Sequence, residues 1–271
     1  ISLLRWDPTG GPVGEPRLVA AGAYRFGNAS MAWTGSRIGL AWPGADFYFD
    51  TYTITGEREV HVGTGLGATV SWMVWTGSEF GLAMGETGYS FASFGPDGPT
   101  SSAALSLVDR DSWVYVFPPA LAWTGSEFVM VGDFLDVDPP DDDLQMARIS
   151  RPMTLVEDPV RLTDTGASDH PGLAWTGSEL GLLWRCGYTY FTRLDAMGER
   201  VSEDRIVSGW SSRSAIAWTG SLFGVAWSMS GDPGESWIGI LVLDPSGEPT
   251  LLRWAAGLLG HVRAAGRRRR S

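Results

Sequence analysis

Apolar residues in this chain come in short runs bounded by Gly, Pro, Asp and Ser, and none follows the period of an amphipathic helix. The most regular runs are paired across a fixed polar string: SMAWTGSRIGLAW at 30–42, WMVWTGSEFGLAM at 72–84, ALAWTGSEFVMVG at 120–132, GLAWTGSELGLLW at 172–184 and AIAWTGSLFGVAW at 215–227. Two apolar segments flanking Thr-Gly-Ser predict a β-hairpin, whose Gly takes the positive φ that a tight reversal requires. In the second segment Phe223, Val225 and Trp227 fall on one side, and Gly224 and Ala226 on the other. The small side lets another sheet approach closely.

A third run follows each hairpin after a variable loop and closes in a Gly-bearing turn, as in FYFDTYTITGE (47–57), YSFASFGPDG (89–98), YTYFTRLDAMGE (188–199) and WIGILVLDPSGE (237–248). A weaker fourth run comes next, such as EREVHV (57–62), VRLTD (160–164) or DRIVS (204–208). The repeat tryptophans, Trp33, Trp75, Trp123, Trp175 and Trp218, are 42, 48, 52 and 43 residues apart. Self-similarity at that period, with four strands per unit, predicts an all-β β-propeller with four antiparallel strands per blade. Repeats at about 25–70, 71–115, 116–165, 166–209 and 210–254 give five blades. Six is the alternative count, because residues 1–24 open with SLLRWDPTGGPVGEPRLV, which matches ILVLDPSGEPTLLRW near the other end but lacks a first hairpin. That half-blade is expected either to complete the last blade or to belong to a larger propeller of which this chain is a fragment. The propeller is thus expected to span 1–254, followed by a divergent Arg-rich tail at 255–271.

In blade grammar the chain resembles propellers of the TolB-like kind, which carry Pro-x-x-Ser-Pro-Asp-Gly-x-x-Ile at the same first hairpin. Here Trp-Thr-Gly-Ser-Glu-Phe-Gly stands in its place, with Pro171 ahead of Trp175 much as the family's proline is. It is also similar to Trp-Thr-Gly-Ser repeat segments of uncharacterised exported bacterial proteins. That likeness implies a propeller in an extracellular, periplasmic or cell-envelope setting and assigns no activity.

Composition supports one folded body of 271 residues, 44% hydrophobic with 36 Gly. All 20 basic residues are Arg, which reads as a high-GC coding sequence. The net charge is −11, and four of the positive charges are the run Arg267–Arg270, read as a solvated tail. So acidic a body does not suit nucleic acid, whose phosphates are held by clustered cations. Cys186 is the sole cysteine, so packing alone holds the fold. Neither a membrane span nor a signal peptide is expected within these residues. The chain is expected to act as a monomer or as a module of a larger protein.

Candidate chemistry is sparse. His61, His170 and His261 are isolated in the sequence, and Ser36, Ser78, Ser126, Ser178 and Ser221 read as turn residues. The loop DFLDVDPPDDD places Asp133, Asp136, Asp138 and Asp141 close together, with hard oxygen donors that suit Ca²⁺. A solvated acidic loop is the plainer reading, so no cofactor is expected unless Ca²⁺ clips this loop. Fourteen Trp is a high count. The five repeat tryptophans are expected in the core, leaving Trp72, Trp113, Trp210 and Trp237 as candidates for stacking on a ligand from loops of the propeller. The function expected is non-catalytic binding of a glycan, a cell-envelope component or a protein through a propeller face. The alternative is a glycoside hydrolase or lyase acting on an extracellular glycan, with acid and base drawn from inner strands. Those strands read SMAW, WMVW, ALAW, GLAW and AIAW, without an acid.

Overall fold

The computed structural model describes residues 1–6, 12–22, 27–85, 88–100, 105–109, 117–132, 143–151, 153–209, 211, 213–230, 236–258 and 261–264. Every regular element among them is a strand. β1 (Ser2–Trp6) and β2 (Pro12–Leu18) form a two-stranded sheet. Blade 1 contains β3 (Ser30–Trp33), β4 (Arg37–Pro43), β5 (Phe47–Thr53) and β6 (Arg58–Gly63). Blade 2 has β7 (Val70–Trp75), β8 (Phe80–Gly85), β9 (Gly88–Gly95), β10 (Gly98–Pro99) and β11 (Leu105–Asp109), the last two both pairing with β9. Blade 3 has β12 (Ala120–Trp123), β13 (Phe128–Gly132), β14 (Gln145–Ser150), β15 (Thr154–Leu155) and β16 (Val160–Arg161), the last two both pairing with β14. Blade 4 has β17 (Asp169–Trp175), β18 (Leu180–Cys186), β19 (Tyr188–Leu194) and β20 (Arg205–Ser208). Blade 5 has β21 (Arg213–Trp218), β22 (Phe223–Ser230), β23 (Ser236–Leu243), β24 (Pro249–Leu258) and β25 (His261–Ala264). All pairings are antiparallel meanders, and the first strands of consecutive blades lie side by side in the order β3, β7, β12, β17, β21.

The described residues therefore form a propeller of five blades, four strand positions wide in blades 1 to 4 and five in blade 5, with a separate two-stranded sheet at the amino end. Blade 5 has a full set of its own strands, so the opening residues do not complete it. β1 and β2 pack instead on blade 1, where Ile1, Leu3, Val19 and Ala20 meet Ile38, Leu40, Trp42 and Tyr52. The tail expected to leave the fold at 255 supplies the end of β24 and all of β25.

Each Thr-Gly-Ser loop is built by its threonine. Thr34 Oγ1 accepts from the backbone N–H groups of Ser36 and Arg37, at 3.3 and 2.8 Å, and Thr76, Thr124 and Thr176 repeat the geometry. Gly35, Gly77, Gly125, Gly177 and Gly220 all lie at φ between 96 and 106°, a region closed to β-branched residues. A glutamate after the loop serine pairs with an arginine on a nearby strand: Glu127 with Arg148 at 2.9 Å and Glu179 with Arg193 at 2.7 Å.

Blade-to-blade packing rests on phenylalanine rather than tryptophan. Phe80, Phe128 and Phe223 are fully buried, and each ring presses on a glycine of the preceding blade. A Cβ on Gly39 would lie 2.4 Å from Phe80, one on Gly81 2.3 Å from Phe128, and one on Gly181 2.6 Å from Phe223. The missing side chain is the socket for the ring. Between blades 3 and 4 the pair changes together, since Val129 occupies the socket position and the smaller Leu180 faces it. The repeat tryptophans lie over these rings, 4.6 Å from Trp75 to Phe80 and from Trp123 to Phe128, and 4.7 Å from Trp218 to Phe223. Trp75, Trp123, Trp175 and Trp218 are half-buried covers on the clusters. Trp33, expected in the core with them, is 46% exposed, with no hairpin packed ahead of it among the described residues.

Candidate functional site

Five residues upstream of each repeat Trp the chain enters its inner strand, and the residue there differs in every blade: Asn28, Val70, Pro118, His170 and Arg213. Four of these, with Trp72, Pro171 and Ser214, line one cavity of about 350 Å³ at the end of the inner strands. Ala226, Trp227 and Ile238 complete its wall from blade 5. The size is within the range of small-ligand sites.

The mouth is stitched blade to blade. Asn28 Oδ1 accepts from Ser71 N–H at 2.7 Å and its Nδ2 donates to Ser71 O at 3.0 Å, joining blades 1 and 2. Tyr89 donates its hydroxyl to Phe117 O at 3.0 Å, and the Phe117 ring is 4.7 Å from that of His170, joining blades 2, 3 and 4. Thr189 and Ser211 share a hydroxyl hydrogen bond of 2.8 Å between blades 4 and 5.

His170 is placed by a local distortion. The β17–β18 register slips between Asp169 and Gly172, so His170 and Pro171 form an irregularity in the strand. His170 takes φ 50°, uncommon for a residue with a side chain, and bulges of this kind re-aim side chains beside binding sites. Its Nδ1 lies 3.0 Å from Asp169 Oδ1. Asp169 also receives both arms of Arg185 at 2.7 and 2.6 Å. Burial pushes that carboxyl's pKa up, but His170 and Arg185 outweigh it and hold the group below the ordinary carboxylate range. Asp169 is thus a fixed anion behind the wall. Arg213 is exposed and has no ion-pair partner among the described residues.

Of the residues anticipated for ligand contact, Trp72 lines this cavity, half-buried. Trp237 is on β23, 37% exposed and outside the lining, beside Ile238 within it. Trp113 and Trp210 lie outside the described residues, as do Asp133, Asp136, Asp138 and Asp141 of the acidic loop. Asp143, at the end of that loop, is described and buried. It accepts from Thr163 Oγ1 at 2.7 Å, from the backbone N–H groups of Thr165 and Gly166 at 2.8 and 3.0 Å, and from Arg161 at 2.7 Å. Burial works against its ionisation, yet these donors hold its pKa well below the usual range. It anchors a loop.

A second polar cluster lies under the amino-terminal sheet. The carboxylate of Asp50, wholly buried, accepts from Trp42 Nε1 and Tyr52 Oη, each at 2.8 Å, and meets His61 Nδ1 at 2.5 Å. Tyr52 Oη also lies 2.9 Å from Val19 O, so its single proton is shared between that carbonyl and Asp50, tying the amino-terminal segment to blade 1, and burial followed by Asp50 raises its pKa. Sequence reasoning passed over Asp50, Asn28 and Arg213. For the last two the signal was their fixed offset from the repeat Trp.

No protein-family model matches the sequence, and no curated protein does. Among solved structures the chain is similar to the Kuenenia stuttgartiensis hydrazine synthase, at 11% identity and a TM-score of 0.55 over 90% of this chain and 68% of that one. It is similar to an exo-1,5-alpha-L-arabinanase from a bovine ruminal metagenomic library, at 12% identity and 0.51 over 87% and 99%. It is also similar to the Dos1 propeller, at 9% identity and 0.50, where it covers 93% of itself and 61% of that chain. Likeness at these identities establishes the propeller fold.

Proposed function

We propose that this protein is a non-catalytic binding propeller of an exported bacterial protein and takes its ligand at the channel mouth. The observation that carries the reading is the contrast between an invariant hairpin and a variable residue five positions upstream, with four of the five variable residues converging on one cavity. A rigid repeat carrying divergent residues on one rim is the usual arrangement of a recognition surface. The indole of Trp72 offers an apolar plane for a sugar ring, and Arg213, His170 and Asn28 offer polar groups to its substituents, so a glycan of the cell envelope is the ligand class favoured. Hydrolysis of a glycosidic bond needs two carboxyl groups flanking it. No carboxylate lines this cavity among the described residues, and Asp169 behind it is already committed to Arg185, which supports binding over cleavage.

A glycan-array screen, repeated with Arg213→Ser and His170→Ala, tests this. Both variants should keep the wild-type melting temperature within a few degrees and lose most of the binding signal. Binding indifferent to both, or release of reducing ends from a bound glycan, refutes the reading.

A further inference from the structure

The acid at the centre of the cluster under the amino-terminal sheet is peculiar to blade 1. In every blade the residue seven places after the repeat Trp pairs with one on the third strand, and that partner is Asp50 in blade 1 but Ala92, Ala147, Thr192 and Leu241 in blades 2 to 5. The propeller does not need a carboxylate here. Burying one is costly unless donors surround it. Asp50 has them on both oxygens, with Trp42 Nε1 and Tyr52 Oη at Oδ2 and His61 Nδ1 at Oδ1.

His61 is the one of these donors that reaches solvent. Its side chain is 42% exposed, whereas Trp42 and Tyr52 are 4% and 2% exposed. Asp50 engages Nδ1 and so leaves Nε2 as the ring nitrogen with no partner among the described residues. Tyr48 covers one face of the imidazole, with ring centroids 5.0 Å apart, and Trp42 covers Tyr48 in turn at 4.5 Å. A hydrogen bond and a stack thus fix the ring.

His61 lines a cavity of about 300 Å³ between blade 1 and the segment Ala20–Gly22, together with Trp42, Tyr48 and Arg58. Arg58 is exposed, and no carboxylate pairs with it among the described residues, whereas Arg148, Arg161, Arg185 and Arg193 each end on one. The described lining contains no acid. In a chain of net charge −11, a guanidinium and an imidazole nitrogen left without acceptors at one cavity favour an anion.

We propose that this cavity is a second ligand site, separate from the channel mouth, and that it takes the carboxylate of a small organic acid. The Arg58 guanidinium would hold the carboxylate, and His61 Nε2 would donate to it. Charge balance selects the class. For Nε2 to donate while Nδ1–H goes to Asp50, the ring has to carry both its protons. Arg58 and the imidazolium are then two positive charges set against Asp50 and the ligand, which balance for a monoanion and leave an excess of negative charge for a dianion. The small residues Ala20, Ala21 and Ala45 leave room for the remainder of the acid. Around the His61 ring are Asp50 and Tyr48 of β5, Trp42 of β4 and Arg58 of β6, and the segment Ala20–Gly22 brings no titratable side chain.

The test titrates the intact chain with acetate, D-glucuronate and sulfate at about pH 6.5 and follows the His61 Cε1–H resonance, assigned by its loss in His61→Gln. Acetate and glucuronate should shift it saturably, and D-glucose, which lacks the carboxylate, should not. Arg58→Gln, a change at an exposed side chain, should keep the wild-type melting temperature and weaken binding about tenfold or more. Arg213→Ser, at the channel mouth, should leave this binding unchanged. Affinity should fall about tenfold per pH unit above about pH 7, because each bound carboxylate brings one proton with it. The absence of a saturable shift with either acid up to about 100 mM, far above a millimolar Kd, overturns the proposal. So does an Arg58→Gln variant that binds as tightly as the wild type, or an affinity that ignores pH. Sulfate binding tighter than both acids overturns it as well, because the charge balance is then wrong.

Discussion

Replacing Gly81 by Val perturbs the contact on which the blade stack depends. A Cβ at Gly81 would stand 2.3 Å from Cε1 and 2.8 Å from Cδ1 of Phe128, both far inside carbon–carbon contact. Phe128 is held under Trp123 at 4.6 Å and against Phe91 at 4.7 Å, so its ring has no room to retreat. Overpacking of this kind costs about 3 kcal/mol. Phe128→Leu alone leaves part of the socket empty and costs about 1 to 2 kcal/mol. The double variant recreates the Val129–Leu180 pair that blades 3 and 4 already use, so its cost should be about 2 kcal/mol, well short of the sum. Urea unfolding followed by tryptophan fluorescence, with all four species compared, gives the coupling as about 2 kcal/mol or more. Additivity within about 0.5 kcal/mol would refute the idea that socket and ring are matched.

Two further outcomes follow from the same packing. Phe128→Ala should destabilise by about 3 to 5 kcal/mol, while Trp123→Ala, half-buried and stacked under the Arg151 guanidinium at 4.5 Å, should cost clearly less; thermal denaturation ranks them. Asp143 and Asp169 have folded pKa values held below the ordinary value, so their stabilisation is complete above about pH 4 and is lost as pH falls through the folded values. Acid titration of unfolding should therefore show a steep loss below about pH 4, shallower in Asp143→Asn, and an unchanged profile in that variant removes Asp143 from the account.

The repeat, the hairpin and the four-strand unit were legible because each depends on local chemistry: a Gly that must take positive φ, as Gly177 does at 106°, and apolar runs of period two. The glycine side of the second strand was also legible as a close-approach face, and Gly39, Gly81 and Gly181 use it in that way. Which ring fills it was not legible. Sequence regularity marks Trp and Phe equally, and only three-dimensional packing shows that Phe enters the socket while Trp covers it. The place of β1 and β2 was likewise undetermined, since their sequence fits a third and fourth strand of any blade and contacts such as Tyr52 to Val19 decide between them. At the mouth, Asn28, His170 and Arg213 share an offset but no residue type, so no motif could gather them. Convergence of five blades did.

The odd interface between blades 3 and 4 bears on how the chain avoids tangling while it folds. Near-identical repeats can dock out of order, and misassembly of neighbours is a characteristic failure of repeat proteins. Were blade 5 to close directly on blade 3, Phe223 would meet Val129 in place of an open socket and collide with it. Were blade 4 to close on blade 2, Leu180 would leave the socket at Gly81 part empty. One matched exchange of Gly for Val and Phe for Leu thus penalises the skipping of blade 3 and of blade 4, and gives an otherwise repetitive chain a reference point from which the order of its blades can be counted.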